Sequence, residues 1–289
     1  MQEKPGILNL KEYVLHSHTF RCGHAVKDIE DYVSEAIKQG FKKYGVSDHV
    51  FIPGVHHPKI RGDYSLLNEY IDEFNRCKEL YGKQIEMYLG FECEYSPFLE
   101  HYYQSLIKDK GFDYLICGQH MGFDENLVDY GYITDDPEKK EKWLLRYKDD
   151  IVNAIKSGLF LYIAHPDLFF FKCYKITPIY KKITKDIIEA AIKYDVPLEV
   201  NINGLLRDKI PGQYDYPCDY FWKQAAKTEV KIVYGGDFHD PANMSNKKLF
   251  DKAFALVNRC KIKFTSIDKV MAEYSHKLED LIKINHYKN

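Results

Sequence analysis

Arginine is scarce in this sequence, which has six arginines against 35 lysines. There is also no surplus of positive charge, because 41 basic residues are balanced by 43 acidic ones, for a net charge of −2. Proteins that bind nucleic acid through its phosphates usually carry a basic surplus or a basic stripe with interleaved aromatic residues. Nucleic acid is therefore not the expected partner, although a local basic groove would leave the total charge unchanged.

Long apolar segments are also absent. No run of 18 apolar residues occurs, so we expect no membrane span. The amino-terminal stretch MQEKPGILNLKEY has no apolar core of the kind found in signal peptides. The seven cysteines form no CxxC motif and are odd in number. These features predict buried, reduced thiols in a cytoplasmic protein. Cys22 lies beside suspected metal ligands, but we predict no ligand role for it.

Nothing in the sequence divides the chain. We find no internal repeat, low-complexity tract or Ser/Gly-rich linker, and hydrophobic residues make up 45% of the sequence. A length of 289 residues suits a single α/β barrel. We therefore predict one domain over residues 1–289, with a carboxy-terminal helix at about 266–284.

Short apolar runs alternate with segments of helical period along most of the chain. The predicted strands are Tyr13–Leu15, Lys43–Ser47, Met87–Phe91, Tyr114–Cys117, Leu161–Ala164, Pro197–Val200 and Lys231–Tyr234. The other predicted helices are Asp28–Gln39, Ser65–Tyr81, Trp143–Ser157, Ile179–Tyr194 and Asn246–Arg259. Seven such alternations predict a parallel sheet. A closed barrel is the more economical arrangement, and an open doubly wound sheet is the alternative. Three long connections, at 50–64, 121–141 and 202–220, are expected to form specificity loops.

The histidines fall in a pattern that the strands explain. Seven of the twelve stand at or soon after the carboxyl end of a predicted strand: His16, His18, His24, His49, His120, His165 and His239. Glu92 and Asp237 occupy the same kind of position. Because the carboxyl ends of parallel barrel strands share one face, these nine side chains are expected to meet there.

Each part of this pattern is by itself weak evidence for a metal site, since an isolated HxH motif or a single histidine after a strand is commonly solvated or structural. The joint pattern is what indicates a metal site. Imidazole and carboxylate ligands together suit Zn²⁺, Mn²⁺ or Fe²⁺. Nine ligands are too many for one ion, so we expect two or three divalent ions. Asp48 precedes one ligand and is expected to orient it from behind.

At these residues the sequence resembles the PHP (polymerase and histidinol phosphatase) family. The segments LHSHTFRCGHA, IAHPDLF and NINGLLR resemble its histidinol-phosphatase branch. The resemblance implies a distorted (βα)7 TIM-like barrel with three metal positions. One metal would be held by His16, His18, Glu92 and Asp237, a second by Glu92, His120 and His165, and a third by His24, His49 and His239. Two segments, CGQHMGF and GGDFHD, depart from the pattern of that branch. Both keep their ligands, so the departures bear on the substrate.

The activity implied by the resemblance is phosphomonoester hydrolysis, with L-histidinol phosphate, from histidine biosynthesis, as the leading substrate. The expected mechanism is in-line attack of metal-bound hydroxide on phosphorus. Glu92, Asp237 and His239 are the expected catalytic metal-site residues, and Arg207 is the expected phosphate clamp. Arg61, Arg21 and Asn203 are further candidates for substrate contact, and Asn201 and Asn203 are candidates for orienting the site.

Three alternatives stay open at this point. The first is a phosphatase of the same fold acting on another small phosphomonoester or on phosphotyrosine. The second is a phosphodiesterase or exonuclease, which the charge balance disfavours. The third is a non-catalytic module, which the complete ligand set disfavours. The sequence does not specify the native metals or the oligomeric state.

Overall fold

The computed structural model of the chain describes residues 10–132, 136–208 and 210–286. The amino-terminal residues 1–9, part of the segment without a signal-peptide core, lie outside the described residues. The strands are β1 Tyr13–Val14, β2 Lys43–Val46, β3 Glu86–Cys93, β4 Tyr114–Cys117, β5 Met121–Phe123, β6 Asp129–Gly131, β7 Leu198–Asn201 and β8 Ile232–Gly235. The α-helices are α1 Ile29–Gln39, α2 Leu67–Tyr81, α3 Glu100–Lys110, α4 Pro137–Ser157, α5 Pro178–Lys193, α6 Asp219–Ala225, α7 Lys247–Cys260 and α8 Ile267–His286.

The parallel strands curl into a barrel-like ring. Strands β1, β2, β3 and β4 are neighbours in one parallel sheet, and β7 pairs with β8, also in parallel. Ile163 connects the two groups through parallel bridges to Cys117 and Leu198. A further parallel bridge between Ser17 and Phe238 joins the end of β8 to the end of β1. The predicted α/β barrel is confirmed, and it is distorted because the strand predicted at 161–164 is reduced to one bridging residue.

Some of the predicted connections contain regular structure. Strands β5 and β6 form an antiparallel hairpin inside the first part of the predicted 121–141 loop. Helix α3 follows β3 and was not predicted, and α6 begins at the end of the predicted 202–220 loop. The carboxy-terminal helix was predicted within two residues of each observed end.

Local signals in the sequence account for the boundaries of α1. Asp28 caps its amino terminus and forms a reciprocal capping box with Asp31. Gly40 ends the helix with a φ of 84°, a left-handed conformation that glycine adopts without strain. The buried face of this helix consists of Ile29, Tyr32, Val33 and Ala36.

The barrel strands form the centre of a single hydrophobic core. Every residue of β2, β4, β7 and β8 is buried, as expected for parallel strands covered on both faces. All seven cysteines are buried free thiols, as predicted. No helix within the described residues is long and apolar enough to cross a membrane.

Candidate metal centre

Glu92 lies at the centre of the histidine cluster. It stands near the carboxyl end of β3 and is 1% exposed. Its carboxylate oxygens approach ring nitrogens of five histidines: His165 at 2.7 Å, His49 at 3.1 Å, His16 at 3.4 Å, His18 at 3.5 Å and His120 at 3.6 Å. These histidines come from four different strand ends, since His16 and His18 both follow β1. Glu92 is therefore placed to bridge more than one ion.

Asp237 forms the second carboxylate of the cluster, two residues after β8. Its Oδ1 lies 3.1 Å from His18 Nε2, 3.6 Å from His16 Nε2 and 3.3 Å from His239 Nδ1. Ligand atoms of His16, His18 and Asp237 all lie within 4.8 Å of one another, as do those of His16, Glu92 and His165. His16 thus faces both carboxylates.

A third group lies at the more exposed edge of the cluster. Ligand atoms of His24, His49 and His239 lie within 4.8 Å of one another. The Nε2 atoms of His24 and His239 are 3.0 Å apart. If both nitrogens are unprotonated they need a cation between them, because two lone pairs at that distance repel. The structure thus brings all nine predicted ligands onto one face of the barrel.

The unsatisfied atoms of the cluster fit a metal centre. Buried polar atoms normally have hydrogen-bond partners. Several here have none among the described residues: His16 Nε2, both ring nitrogens of His18, His49 Nδ1, His165 Nδ1 and Glu92 Oε2. Imidazole and carboxylate atoms are the donor set of Zn²⁺, Mn²⁺ and Fe²⁺ sites. Divalent cations would satisfy Glu92 Oε2 and the three nitrogens that face the carboxylates, on His16, His18 and His49, and the residues present therefore fit such ions.

Burial and charge favour the metal-binding protonation states of His18, His49, Glu92 and Asp237. Burial alone would lower the pKa values of His16 and His120 too, but the adjacent carboxylates raise both. Burial lowers the pKa of His18 well below its ordinary value and that of His49 to about 4, so both rings are neutral at pH 7. Burial alone would raise the pKa of Glu92 and Asp237, but the surrounding histidines hold both pKa values well below the usual range. Neutral imidazoles and ionised carboxylates are the forms that bind metal.

Two buried carboxylates support the cluster from behind, and sequence reasoning missed both. Glu199 Oε2 lies 2.8 Å from His16 Nδ1, and Glu94 Oε1 lies 3.2 Å from His120 Nδ1. Such partners fix the orientation of a ligating imidazole and raise its basicity. Their signal in the sequence was a charged residue inside an apolar strand for Glu199, and a spacing of two from Glu92 for Glu94, since alternate strand residues share a face.

Asp48 precedes His49, the ligand that it was expected to orient from behind, but its hydrogen bonds lie on the segment that carries His18. Its Oδ1 is 3.8 Å from His18 Nδ1, too far for a hydrogen bond. The same oxygen accepts the backbone N–H of Thr19 at 2.7 Å, and the Thr19 hydroxyl donates to Oδ2. Asp48 therefore holds the turn that carries His18.

The backbone is constrained at the ligands. His165 and Asp237 have φ values of 32° and 48°, in the left-handed region that non-glycine residues rarely adopt. Such conformations cost about 1–3 kcal/mol and persist where the surroundings enforce them. Gly118 is required for a different reason, because a Cβ at this position would stand 1.8 Å from Glu92 Oε1. The glycine in the divergent segment CGQH thus leaves room for the central carboxylate.

Arg207 lies near the cluster at the mouth of the barrel. Its guanidinium stacks 4.1 Å from the ring centroid of Tyr216, a residue whose ring is 6.0 Å from that of His165. It pairs with Asp215 at 3.0 Å and donates to the Tyr216 hydroxyl. Its Nε has no hydrogen-bond partner within the described part of the chain. Arg207 is half-buried, and the ring of Tyr216 separates its guanidinium from the metal ligand His165.

The two other arginines expected at the substrate lie elsewhere. Arg61 is fully buried and donates to Glu94 at 2.9 Å and to the Val50 carbonyl. The expectation of a phosphate contact is corrected here, because Arg61 supports Glu94 from the interior. The Arg21 side chain is 2% exposed and its terminal nitrogens pair with Asp28 and Glu69, so the guanidinium is already occupied.

The two asparagines after β7 face Asp237. Asn201 Nδ2 donates to Asp237 Oδ2 at 3.0 Å, and Asn203 Nδ2 donates to the same oxygen at 3.2 Å. Asn201 also contacts Glu199. Both asparagines thus position Asp237, as was expected of them, and the predicted substrate contact of Asn203 stays a prediction.

Comparisons with known proteins agree with this geometry. The PHP domain family matches residues 14–203. A Deinococcus radiodurans protein named "probable histidinol-phosphatase" is 26% identical over 235 residues, which cover 79% of this chain and 86% of the relative. A Bacillus subtilis histidinol-phosphatase is 23% identical over 257 residues, which cover 79% of this chain and 94% of the relative. The crystal structure of a Lactococcus lactis histidinol phosphate phosphatase, in complex with zinc, L-histidinol and phosphate, aligns with a TM-score of 0.64. That alignment has 17% identity and covers 88% of this chain and 95% of the other. The chain belongs to the PHP domain family.

Proposed function

We propose that this protein is a metal-dependent phosphomonoesterase that hydrolyses L-histidinol phosphate to L-histidinol and phosphate. The observation that carries the proposal is the convergence of nine ligands around Glu92 and Asp237 at one end of the barrel. Relatives named as histidinol-phosphatases support the choice of substrate. The buried free thiols fit an enzyme of the reducing cytoplasm.

The cluster has room and ligands for two or three ions, in the sets that its distances suggest. His16, His18 and Asp237 face one position, His120 and His165 face a second, and His24, His49 and His239 a third. Glu92 lies between the first two. When bound, such ions supply a water of lowered pKa as the nucleophile and neutralise the charge of the phosphate.

The protein's own groups do the positioning. Glu199 and Glu94 orient His16 and His120, and the two asparagines orient Asp237. Arg207 is proposed to clamp the phosphate through the second N–H of Nη1, because its Nε is buried and both N–H groups of Nη2 are held by Asp215 and Tyr216. A charge-assisted bond of this kind favours the dianionic ester and the more highly charged transition state.

The test is a substrate panel on purified, metal-analysed protein. We expect phosphate release from L-histidinol phosphate well above that from phosphotyrosine, a nucleoside monophosphate or a short oligonucleotide. Release from the other esters only would overturn the substrate, and cleavage of the oligonucleotide would indicate a nuclease.

A further inference from the structure

Asp167 is a buried carboxylate that has no part in the metal centre described above. It stands two residues after the metal ligand His165, in the segment IAHPDLF, and its side chain is completely buried. An aspartate is rarely buried to this extent unless its oxygens are paired. Because it does not reach the surface of the site, its contribution must pass through the groups that it contacts.

Those groups belong to the segment that follows the Arg207 loop. Asp167 Oδ2 accepts the backbone N–H of Cys218 at 2.6 Å and the indole N–H of Trp222 at 2.9 Å. Cys218 and Trp222 are themselves at most 2% exposed. A buried acceptor that receives two hydrogen bonds is costly to remove, because both donors lose their partner. Asp167 thus ties together two segments that lie 51 to 55 residues apart in the sequence.

The same two segments also meet at the metal ligand. The ring of Tyr216 lies 6.0 Å from the ring of His165. Two residues separate His165 from Asp167, and two separate Tyr216 from Cys218. The first segment is itself anchored, because the Tyr147 hydroxyl donates at 3.2 Å to the carbonyl of the proline between His165 and Asp167. The hydrogen bonds of Asp167 therefore fix the distance between Tyr216 and the metal ligand.

Tyr216 in turn holds Arg207. The guanidinium lies 4.1 Å from the centroid of the Tyr216 ring. Nη1 donates to the Tyr216 hydroxyl at 3.0 Å, and Nη2 donates to the Tyr216 carbonyl oxygen at 3.4 Å. The ring, the hydroxyl and the backbone of one residue thus hold the arginine, and a displacement of Tyr216 would move the guanidinium with it.

A separate connection holds the outer part of the Arg207 loop. Cys173 and Tyr214 form an antiparallel pair with backbone hydrogen bonds of 3.3 and 2.6 Å. These bonds do not involve Asp167 and remain when its carboxylate is removed. Loss of the carboxylate is therefore expected to shift Tyr216 without releasing the whole loop.

We propose that Asp167 is a positioning residue for the phosphate clamp, which holds Arg207 at its place beside the metal ligands through Cys218 and Tyr216. This inference rests on the proposed role of Arg207 in phosphomonoester hydrolysis, and it extends that role to a residue that does not touch the substrate. A misplacement of about 1 Å in an active site can lower the rate about 100-fold, so the contribution is measurable.

The test is a double-mutant cycle on the metal-loaded enzyme, with kcat and KM measured for L-histidinol phosphate. We expect Asp167→Ala to lower kcat/KM about 10- to 100-fold and Arg207→Ala to lower it about 100-fold. In the Arg207→Ala background, Asp167→Ala should cost less than about threefold, because no clamp is left to position. Additive losses in the double variant overturn the proposal.

Two further variants separate this role from a general structural one. Asp167→Asn keeps an oxygen for both N–H donors and places its amide nitrogen where Oδ1 has no hydrogen-bond partner among the described residues, so kcat/KM should stay close to the wild-type value. Asp113→Ala is the control, because Asp113 also accepts a backbone N–H, that of Leu89 at 2.7 Å, but precedes β4 at the opposite end of the barrel. Losses in either variant equal to that in Asp167→Ala overturn the proposal.

Metal content and phosphate binding provide readouts besides activity. We expect Asp167→Ala to bind as many ions per chain as wild type by elemental analysis. It should bind inorganic phosphate about tenfold more weakly by calorimetry, as expected for the loss of one charge-assisted hydrogen bond. Unchanged phosphate binding, or a loss of metal that accounts for the weaker binding, overturns the proposal.

The two proposals fail separately. If L-histidinol phosphate is not hydrolysed, the same cycle of variants measured in phosphate affinity still decides the role of Asp167. A loss of affinity in Asp167→Ala that disappears in the Arg207→Ala background supports the positioning role, and additive losses of affinity overturn it.

Discussion

His16 Nδ1 lies 2.8 Å from Glu199 Oε2, and both residues are completely buried. The other ring nitrogen of His16 faces Glu92 and Asp237. Glu199 therefore fixes which nitrogen of His16 is presented to a metal. Gly235 makes room for this carboxylate, since a Cβ there would stand 2.0 Å from Glu199 Oε2.

Replacing Glu199 should weaken metal binding without removing a ligand. We expect Glu199→Gln to lower metal affinity about 10- to 100-fold. The amide oxygen accepts a weaker hydrogen bond from His16, and the side chain no longer carries the negative charge that makes the imidazole more basic. Competition with a chromophoric chelator measures the affinity. Glu189→Gln on the exposed face of α5 is the control. Equal affinities in the two variants would contradict a role for Glu199 in orienting His16.

Gly118 offers a test of the central position of Glu92. A Cβ in Gly118→Ala would meet the Glu92 carboxylate at 1.8 Å and force it aside. We expect the variant to fold but to retain fewer ions per chain by elemental analysis. Gly131→Ala is the matched control, because no atom of the described residues lies within 4 Å of a Cβ at that position. Full metal content in Gly118→Ala would show that Glu92 need not occupy the place described.

The buried ion pair of Arg61 and Glu94 should matter for stability. Both side chains are at most 1% exposed and lie 2.9 Å apart. Burial alone would raise the pKa of Glu94, but Arg61 and then His120 lower it to about 2. Arg61→Met leaves an uncompensated buried charge, which typically costs about 3–5 kcal/mol.

Urea unfolding measures this loss as a lower midpoint at unchanged slope. The exposed pair of Arg76 and Glu30 provides the comparison, since Arg76→Met should cost at most about 1 kcal/mol. Similar midpoints for the two variants would contradict the assignment of Arg61 to a supporting role.

Removal of metal should destabilise the fold around the strand ends. Without ions, the nitrogens and the carboxylate oxygen that face the cluster lack hydrogen-bond partners among the residues that the structure describes. Ligand binding stabilises the folded state by about 2.7 kcal/mol at a concentration of 100 Kd. We expect a chelator to lower Tm and added Zn²⁺ or Mn²⁺ to restore it. A Tm indifferent to both treatments would mean that the cluster binds no ion.

The sequence predicted the ligands because their positions follow from topology. A histidine at the end of a parallel strand must lie on the same face as its counterparts, whatever separates them along the chain. The roles of the supporting residues Glu94, Glu199 and Arg61 could not be predicted, because they depend on side-chain contacts that the order of the strands does not specify. Arg61 lies in an apparently exposed loop, PKIRGDY, and only the presence of Glu94, 33 residues later, makes its burial favourable.

The differences between the predicted and the observed secondary structure have similar causes. The apolar run at 161–164 has the composition of a strand and hydrogen-bonds to β4 through Leu161 and Ala164, but only Ile163 forms full bridges, and the chain then turns at His165, which has a positive φ. Helix α3 has a narrow buried face consisting of Tyr103 and Leu106, and a pattern of two buried residues is weak evidence for a helix. The hairpin of β5 and β6 is stabilised by contacts to α4, such as the stacking of Tyr130 on Trp143.

The most direct test of the central claim is a metal titration of activity. Protein stripped by chelation is titrated with Zn²⁺ or Mn²⁺ while phosphate release from L-histidinol phosphate is recorded. We predict that the stripped protein releases no phosphate and that the rate of release rises to a plateau at two or three ions per chain. Release that is unaffected by stripping, or no release at any occupancy, would contradict it.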